Sequence, residues 1–320
     1  MDAELIDLLM ITSVISAAQE TGLMRALASG PQTAQAYGEK LGLDPRATRL
    51  VLDALVTLDL ASREKDAYDA SPRVKVLMQS WIRPGAPTEN LLSHTPAFLR
   101  TGKPAVRMDG SLAEREASYR QATVLMGKMF EPVAKELASK LTEAPARVLD
   151  VGCGSGVWSL AIAERFPSAR VTGQDLPAVL ESFTARARAM SLGDRVETLP
   201  GDMHTAELPA GGFDLAVIAN VLRLEPPERA AALVSRLAAA VAPGGALLVV
   251  DALAGGTPER ERSRALYALN LALRTEGGQV HSPAEITSWL QAAGLGKVEA
   301  IDLGGRTPPP GAIGALLARR

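Results

Sequence analysis

Three glycines follow a short apolar segment in the second half of the chain. The segment Arg147–Val151 predicts a β-strand, and Gly152, Gly154 and Gly156 come directly after it. Glycine tolerates positive φ and lets a ligand lie against bare backbone, and the helix predicted from Val157 would present free N–H groups at its start. This spacing is typical of a ligand-binding loop, although any tight strand-to-helix turn can use glycine.

Neighbouring residues limit the kinds of binding or catalytic site that this loop could form. A dinucleotide site has glycine at the position of Val157, so a pyrophosphate is disfavoured, and no Gly-Lys-Ser/Thr follows to make a P-loop. A hydrolase elbow of the form G-x-S-x-G is not formed, because Cys153 and Ser155 alternate with the glycines. We interpret Cys153 as a small residue in a tight turn rather than as a nucleophile.

Two aspartates stand where the next two predicted strands end. Asp175 ends the strand that begins at Arg170, and a carboxylate there can accept hydrogen bonds from both hydroxyls of a ribose. Asp202 and Met203 follow the third strand and suit an adenine, whose amine the carboxylate would accept and whose face the thioether would contact. The alternatives are an acid at a helix start beside Pro177, a surface acid and a packed methionine.

Alternating strands and helices must position these groups. The alternation predicts an α/β fold with a doubly wound, mainly parallel sheet, which binds ligands at the carboxyl ends of its strands. The predicted strands are Arg147–Val151, Arg170–Gly173, Val196–Leu199, Phe213–Ala219, Ala246–Val250, Lys297–Leu303 and Ala312–Ala318. The predicted helices are Val157–Phe166, Ala178–Met190, Glu228–Ala240, Glu259–Leu273 and one that Ser282 and Pro283 open and that runs to Ala292.

The first half of the chain is predicted to be helical. Apolar residues at helical spacing predict a helix over Glu4–Ala28, and a helix capped by Thr33 extends to Leu41. Asp44 caps a longer helix to Leu58, and weak alternation over Leu60–Ala70 predicts a wing, which completes a winged-helix pattern. Further helices are predicted near 93–100 and over 112–141. We therefore expect two domains, 1–141 and 142–320.

Composition excludes several classes of function. The 320 residues carry a net charge of −2, so no global basic field favours nucleic acid or an anionic membrane. The three histidines lack the spacing of a zinc site, and we expect no metal. One cysteine excludes an internal disulfide and fits the cytoplasm. The acidic start of the chain is unlike a secretory leader, and no apolar run of about 20 residues predicts a membrane span.

The motifs together resemble the class I S-adenosylmethionine-dependent O-methyltransferases. The similar group is the bacterial and plant one that acts on small molecules and has an N-terminal winged-helix dimerisation domain. The resemblance covers nearly all of the chain. It rests on the stretches 22–27, 50–55, 91–129, 148–156, 174–177, 201–203, 219–222 and 242–245.

The resemblance implies a function and a site. It implies an intertwined homodimer that transfers the methyl of S-adenosylmethionine to a hydroxyl or acidic oxygen of a small secondary metabolite, leaving S-adenosylhomocysteine. The implied fold is a seven-stranded sheet with an antiparallel last strand, preceded by an all-α winged-helix domain. The cofactor residues would be Asp150, Gly152, Cys153, Gly154, Gly156, Asp175, Leu176, Asp202, Met203 and Asn220. The acceptor would meet Tyr119, Met126, Phe130 and Asn270, although the helical spacing of the first three also fits a core stripe.

One position departs from the family pattern. The residue after Asn220-Val221-Leu222 is usually a histidine that takes the acceptor's proton, and here it is Arg223. The acid that usually follows a late Gly-Gly pair is replaced by Gln279-Val280-His281, whereas Asp251 keeps a third acidic position. We therefore expect Arg223 and Asp251 to take part in catalysis, with the guanidinium stabilising an anionic acceptor. The alternative is that Arg223 turns outward to pair with Glu225 or Glu228.

Two other functions remain open at this point. Loss of the histidine is also compatible with C- or N-methylation, or with a non-methylating reaction on the same scaffold. A winged helix with Arg46 and Arg49 on its second helix could instead belong to a DNA-binding regulator. DNA binding usually needs a clustered basic face, which the slightly acidic balance of the chain disfavours.

Overall fold

Two units make up the part of the chain that the computed structural model describes, which is residues 2–80, 91–253, 257–303 and 313–320. The first unit is Met1–Asn90 and the second is Leu91–Arg320. The division therefore falls before the long helix over 112–140, which packs against helices of the second unit. The expected division of roles between 1–141 and 142–320 stays a prediction.

The first unit combines five helices with a small antiparallel sheet in its described residues. The sheet order is β1-β3-β2, so the expected wing over Leu60–Ala70 is a hairpin, and the expectation of an all-α domain was wrong. The helices are α1 (Ala3–Glu20), α2 (Leu23–Ala28), α3 (Ala34–Leu41), α4 (Pro45–Thr57) and α5 (Pro72–Ser80), and the strands are β1 (Gln32–Thr33), β2 (Ala61–Glu64) and β3 (Ala67–Ala70).

Local signals set these helix boundaries. The predicted caps are confirmed, because Thr33 Oγ1 accepts from the Ala36 amide at 3.2 Å and Asp44 Oδ1 accepts from the Ala47 amide at 2.8 Å. The single helix predicted over Glu4–Ala28 was wrong. Gly22 adopts φ 75°, a left-handed conformation that ends one helix and starts the next.

The second unit holds the large sheet and its covering helices. Its helices are α6 (Thr95–Thr101), α7 (Leu112–Lys140), α8 (Val157–Arg165), α9 (Pro177–Ala189), α10 (Pro227–Ala240), α11 (Pro258–Ala272) and α12 (Pro283–Ala292). Its strands are β4 (Arg147–Val151), β5 (Arg170–Asp175), β6 (Val196–Pro200), β7 (Phe213–Ala219), β8 (Val241–Ala252), β9 (Lys297–Ile301) and β10 (Ile313–Arg319).

The sheet has seven strands in the order β6-β5-β4-β7-β8-β10-β9. Strands β4 to β8 are parallel, and β10 is antiparallel to both β8 and β9. This confirms the doubly wound sheet with an antiparallel last strand. The chain moves outward in opposite directions from β4, so a crevice forms where β4 and its neighbours end.

Both faces of the sheet are apolar, as in parallel sheets that carry helices on two sides. Alternate residues of β4 belong to two separate cores, Val148 to one and Leu149 to the other. Helices α7, α8 and α9 cover the first face, whereas α10 and α12 cover the second. The central strands are therefore held rigidly, and their carboxyl ends can present side chains at fixed positions.

The 29-residue helix α7 is the element that covers the carboxyl end of the sheet. Ser111 and Glu114 close a reciprocal capping box at its start. Glu116 accepts from the Ala178 amide at 2.7 Å, and Arg120 pairs with Glu181 at 3.0 Å, which tie α7 to α9. No helix among the described residues is long and apolar enough to cross a bilayer.

Candidate active site

A cleft lies under α7 at the carboxyl ends of the central strands. Its empty space, including the part open to solvent, is about 800 Å³, and it lies where the strand order reverses, as expected for a doubly wound sheet. It brings together eleven of the predicted site residues, namely Tyr119, Met126, Phe130, Gly152, Cys153, Gly154, Asp175, Leu176, Asp202, Met203 and Asn220.

Five predicted residues do not line this cleft. Asp150 is buried below the glycine loop, where Ser159 Oγ donates to its carboxyl at 2.5 Å. Gly156 packs against the ring of Phe183. The other three are Arg223 and Asp251, which form a buried cluster with Tyr267 described below, and Asn270, a half-buried residue of α11.

The glycine loop is shaped by backbone conformation and by close packing. Gly152 and Gly156 adopt φ 66° and 70°, which side-chain-bearing residues rarely do. A Cβ at Gly152 would lie 2.7 Å from Val221, and one at Gly156 would lie 2.4 Å from Phe183. The loop therefore needs glycine to form at all, and it leaves backbone exposed to whatever occupies the cleft.

Asp175 is fixed by backbone donors. Its Oδ2 accepts from the Gly154 amide at 2.8 Å, and its Oδ1 accepts from the Leu176 amide at 2.7 Å. Burial raises the pKa of Asp175 to about 6, although these two amides oppose that shift. Each carboxylate oxygen has a further lone pair, so Asp175 can accept two more hydrogen bonds from a ligand.

Asp202 has a partner that the sequence did not reveal. Arg115, on α7, donates to Asp202 Oδ2, and the His204 amide donates to Oδ1 at 2.9 Å. Burial acts to raise the pKa of Asp202, but the His204 amide and the Arg115 guanidinium outweigh it and the pKa lies below its ordinary value. The helical spacing of Arg115 with Tyr119 and Thr123 could have placed it on the cleft face of α7.

Three buried polar atoms in the cleft wall have no partner among the described residues. They are the amide oxygen of Gln174, the indole N–H of Trp158 and the Nε of Arg115. Gln174 uses its amide nitrogen to donate to the Gly201 carbonyl at 2.6 Å, which orients the side chain. Buried polar groups normally have partners, so these atoms point to a polar ligand.

Arg223 turns inward rather than toward solvent. Its Nη1 donates to Asn220 Oδ1 at 2.6 Å and to Asp251 Oδ1 at 3.0 Å, and its amide donates to Asp251 Oδ2 at 3.2 Å. Burial acts to lower the pKa of Arg223, but the charges of Tyr267 and Asp251 raise it overall. The outward alternative was wrong, because Glu225 instead pairs with His204 and Arg229.

Tyr267 lies between Arg223 and a second arginine that sequence reasoning missed. The guanidinium carbons of Arg223 and Arg274 lie 5.3 and 5.5 Å from the centre of its ring. Arg274 Nη2 also donates to the Tyr267 hydroxyl at 2.7 Å. Tyr267, Asn270 and Arg274 are spaced by three and four residues, a helical pattern that could have grouped them.

The histidines have structural positions. His281 is buried, and its Nε2 donates to the carbonyls of Leu222 and Glu225, which lie 3.0 and 3.1 Å away. His204 lies 2.9 Å from Glu225, and His94 is exposed before α6. Among the described residues, no group of three or more potential ligand side chains could hold a metal ion.

Known proteins resemble this chain in sequence and in fold. The model of the O-methyltransferase domain family matches residues 119–296. An 8-O-methyltransferase of tetracenomycin polyketide synthesis from Streptomyces glaucescens is 30% identical over 90% of this chain and 88% of its own length. The chain belongs to the O-methyltransferase family. It is accordingly an S-adenosylmethionine-dependent methyltransferase.

Two further relatives extend the comparison. An L-tyrosine C(3)-methyltransferase from Streptomyces lavendulae is 25% identical to this methyltransferase over 92% of the chain and 86% of its own length. The crystal structure of human N-acetylserotonin methyltransferase in complex with S-adenosylmethionine is 21% identical, with a TM-score of 0.71 over 100% of this chain and 98% of the human one. The second comparison shows a shared fold.

The cleft of the methyltransferase fits S-adenosylmethionine. Asp175 offers fixed acceptors of the kind that ribose hydroxyls need. The glycine loop leaves no room for a Cβ, and Gln174 and Trp158 offer polar atoms without partners. Met203 presents an apolar thioether to the same cleft. A nucleoside with a polar amino-acid tail matches this set of donors, acceptors and apolar surface.

Asp150 gives the methyltransferase a measurable dependence of stability on pH. Burial raises the pKa of Asp150 to about 7, and the charge of Asp175 adds to it against the Ser159 hydrogen bond. The folded protein therefore holds the proton of Asp150 to a higher pH than the unfolded chain does. Because of this, the free energy of unfolding falls as pH rises from about 4 to about 7. We expect Asp150→Asn to remove about 2–4 kcal/mol of that fall, as measured by urea unfolding across this pH range.

A matched control is Asp194→Asn, which removes an exposed carboxyl. It should leave the pH dependence of the unfolding free energy unchanged. Equal slopes for the wild type and Asp150→Asn would contradict the burial argument.

Proposed function

We propose that this enzyme methylates an ionised oxygen, a phenolate or a carboxylate, of a small secondary metabolite. The observation that carries the proposal is the inward, buried position of Arg223, which Asp251 and Asn220 hold by hydrogen bonds. A guanidinium cannot take a proton, since its pKa exceeds about 12. It can stabilise a negative charge that the acceptor already carries.

We propose that the cofactor binds along the glycine loop. Asp175 would accept from the ribose hydroxyls, and Met203 would contact the adenine face. Asp202 would reach the adenine amine only while sharing its carboxylate with Arg115, since both of its oxygens already accept hydrogen bonds. Cys153, Leu176 and Asn220 would complete the wall, and Asp150 would act from below, through Ser159 and the loop.

When bound, S-adenosylmethionine supplies a methyl group on an activated sulfonium leaving group. The chain then has two tasks, to orient the acceptor and to keep it ionised. Orientation can supply on the order of 7–11 kcal/mol of the barrier. A positive charge near the acceptor lowers the pKa of its hydroxyl or carboxyl, so Arg223 serves the second task without removing a proton itself. Asp251 is the positioning residue that fixes the guanidinium.

The acceptor would lie between the cofactor cleft and Arg223. Tyr119, Met126 and Phe130 face this cleft from α7, although Phe130 is almost fully buried and also belongs to the core. Asn270 would contact the acceptor from α11. Relatives that act on a polyketide and on tyrosine, by their names, support a small metabolite as acceptor.

Methylation of carbon is the second candidate. A relative named as an L-tyrosine C(3)-methyltransferase favours it, and an ionised phenol is activated at ring carbon as well as at oxygen. The same guanidinium would serve either reaction. Carbon-13 labelling of the methyl group distinguishes the two, because the chemical shift of the product differs for a methyl on oxygen and a methyl on carbon.

We also propose a homodimer and a cytoplasmic location. The helices α3 and α4 with the β2–β3 hairpin support a winged-helix assignment for the first unit. Helix α1 exposes Leu5, Leu8, Leu9 and Met10 to between 54 and 62%, and apolar faces of this kind usually bind another surface. The one cysteine is a buried free thiol, which suits a reducing compartment.

Asp175→Asn tests the cofactor assignment. The change removes the charged acceptor for ribose, and a hydrogen bond to a charged group is worth about 1.5–3 kcal/mol. We expect the Kd for S-adenosylhomocysteine to rise by about 10- to 100-fold, as measured by calorimetry. Ribose hydroxyls prefer the ionised carboxylate, so wild-type affinity should fall as pH falls through about 6, the pKa of Asp175, and the variant should lose this dependence.

The control for this experiment is again Asp194→Asn, which should bind S-adenosylhomocysteine as the wild type does. An unchanged Kd in a folded Asp175→Asn protein would overturn the ribose assignment.

The reaction is tested with labelled S-adenosylmethionine and a panel of phenols, carboxylic acids and aliphatic alcohols. We expect methylated product from acidic acceptors and none from alcohols. With the best acceptor, the double variant Arg223→Gln/Asp251→Asn should lower kcat/KM by about 10²-fold. The double variant is preferred because removing one member of a buried ion pair leaves the other charge unpaired, at a cost of about 3–5 kcal/mol.

Calorimetry with S-adenosylhomocysteine shows whether the double variant still folds and binds cofactor. If it binds normally and keeps full kcat/KM with an unchanged pH profile, Arg223 does not stabilise the acceptor. Turnover of simple alcohols by the wild type would contradict the anionic acceptor.

The dimer is tested by replacing apolar residues on α1. Leu8→Glu/Leu9→Glu places two charges on the exposed face, where burial against a partner would be costly. We expect light scattering to show a dimer for the wild type and a monomer for this variant. Leu99→Glu, which changes an isolated residue that is 79% exposed, should stay dimeric, and a monomeric wild type would exclude the proposal.

A further inference from the structure

Two buried arginines share one tyrosine ring in the second unit. Arg223, Tyr267 and Arg274 are only 4, 4 and 9% exposed. Both guanidinium groups lie over or beside the Tyr267 ring, 5.3 and 5.5 Å from its centre. Like charges repel strongly where water is excluded, so this arrangement needs negative charge to offset it.

Protein carboxylates offset only one of the two charges. Asp251 pairs with Arg223 at 3.0 Å. Within the described residues, Arg274 has no carboxylate inside 4 Å, and its contacts are the Tyr267 hydroxyl at 2.7 Å and the Met108 sulfur at 3.9 Å. A buried charge without a partner of opposite sign is costly, so an anionic ligand beside Arg274 would lower that cost.

The nearby acid on the neighbouring loop has one oxygen engaged, whereas its Oδ1 is buried without a hydrogen-bond partner among the described residues. Asp109 follows Met108, and its Oδ2 accepts from the amides of Glu276 and Gly277 at 2.5 and 2.9 Å. Arg107 lies 3.6 Å from its other oxygen. Asp109 therefore holds the loop after α11 in place and does not pair with Arg274.

Polar atoms without partners also occur on Arg274 itself and on Asn270, four residues before it. The Nε of Arg274 is buried and donates to nothing, and the amide oxygen of Asn270 is buried and accepts from nothing, among the described residues. The Tyr267 oxygen accepts from Arg274, so its own hydrogen is left to donate. Two unpaired donors and one unpaired acceptor match a ligand that carries a carboxylate and a hydroxyl.

Tyr119 connects this cluster to the cofactor cleft. It lines the cleft, and burial raises its pKa to about 12 although the positive charges of Arg274 and Arg223 oppose that shift. Both cations thus lie within electrostatic range of the cleft wall. An acceptor beside Tyr119 would lie within range of both cations, with the charge of Asp109 acting in the opposite sense.

We propose that Arg274, with Tyr267 and Asn270, forms a subsite that binds a carboxylate of the acceptor, separate from the oxygen that receives the methyl group. The acceptor is then an aromatic hydroxy acid, in keeping with the rings of Tyr119 and Trp158 in the cleft wall. This assignment rests on the proposed function, because it requires that the acceptor occupies this cleft. Arg274 sets substrate specificity, whereas Arg223 faces the reacting oxygen.

The test compares acids with their neutral amides. With the enzyme saturated by S-adenosylhomocysteine, calorimetry measures the Kd of 3- and 4-hydroxybenzoate and of the matching hydroxybenzamides. We expect at least one acid to bind about tenfold or more tightly than its amide, since charge-assisted bonds to arginine are strong. Arg274→Gln should reduce that preference to about twofold or less and leave the Kd of S-adenosylhomocysteine unchanged.

Three further variants make the result specific. Arg274→Lys keeps the charge and should retain part of the preference, whereas Arg188→Gln, which changes an exposed arginine on α9, should retain all of it. Tyr267→Phe removes one donor, should weaken acid binding by about threefold or more, and tests the subsite even where Arg274→Gln fails to fold.

The outcomes separate this subsite from the proposed function. No preference for any acid in the wild type, or an undiminished preference in folded Arg274→Gln, overturns the subsite while cofactor binding and methyl transfer can still stand. A failure of the wild type to bind S-adenosylhomocysteine would instead contradict the function on which the subsite rests.

Discussion

The hydrogen bond from the Gly154 amide to the Asp175 carboxylate fixes one side of the cleft of this enzyme. It joins the loop after β4 to the end of β5, at a length of 2.8 Å. The bond requires the left-handed glycines that turn the chain at this point, and it needs two parallel strands that end at the same edge of the sheet. The apolar packing on both faces of the sheet keeps those two strand ends in register. The site is therefore a consequence of topology as much as of its side chains.

The charged residues discussed above lie in two regions of the second unit. Asp150, Asp175 and Asp202 lie at the glycine loop and the strand ends beside it, with Arg115 as the one cation paired there. Arg223 and Arg274 lie around Tyr267, with Asp251 as their one carboxylate partner among the described residues. Burial makes each region sensitive to the charge of its ligand. A cationic group suits the first region and an anionic group the second, which is the polarity that a sulfonium donor and an ionised acceptor require.

The sequence predicted the framework better than the chemistry. Strand and helix periods, the glycine spacing and the residues at strand ends located the sheet and most of the cleft wall, because these features depend on local pattern and on topology. Arg115, Trp158 and Arg274 were not predicted as site residues, because the contacts that a side chain makes with a distant helix depend on tertiary packing. Asp150 is the opposite case, a predicted site residue that does not line the cleft. The family resemblance implied a place for it in the cofactor site, but its carboxyl is buried and accepts a hydrogen bond from Ser159.

The replacement of histidine by arginine at position 223 changes what the acidic neighbour can do. An aspartate beside a histidine can orient the ring and stabilise it once it has taken a proton. The same aspartate beside an arginine forms a permanent ion pair, with hydrogen bonds to both the guanidinium and the backbone amide of residue 223. The ion pair fixes the guanidinium in one orientation, so under the proposed function its N–H groups would face the ionised oxygen of the acceptor. Under the proposed subsite, Arg274 would add a second cation that touches neither the cofactor nor the reacting oxygen. An enzyme built in this way would give up acceptors that need a base, and it would gain selectivity for those that arrive already ionised.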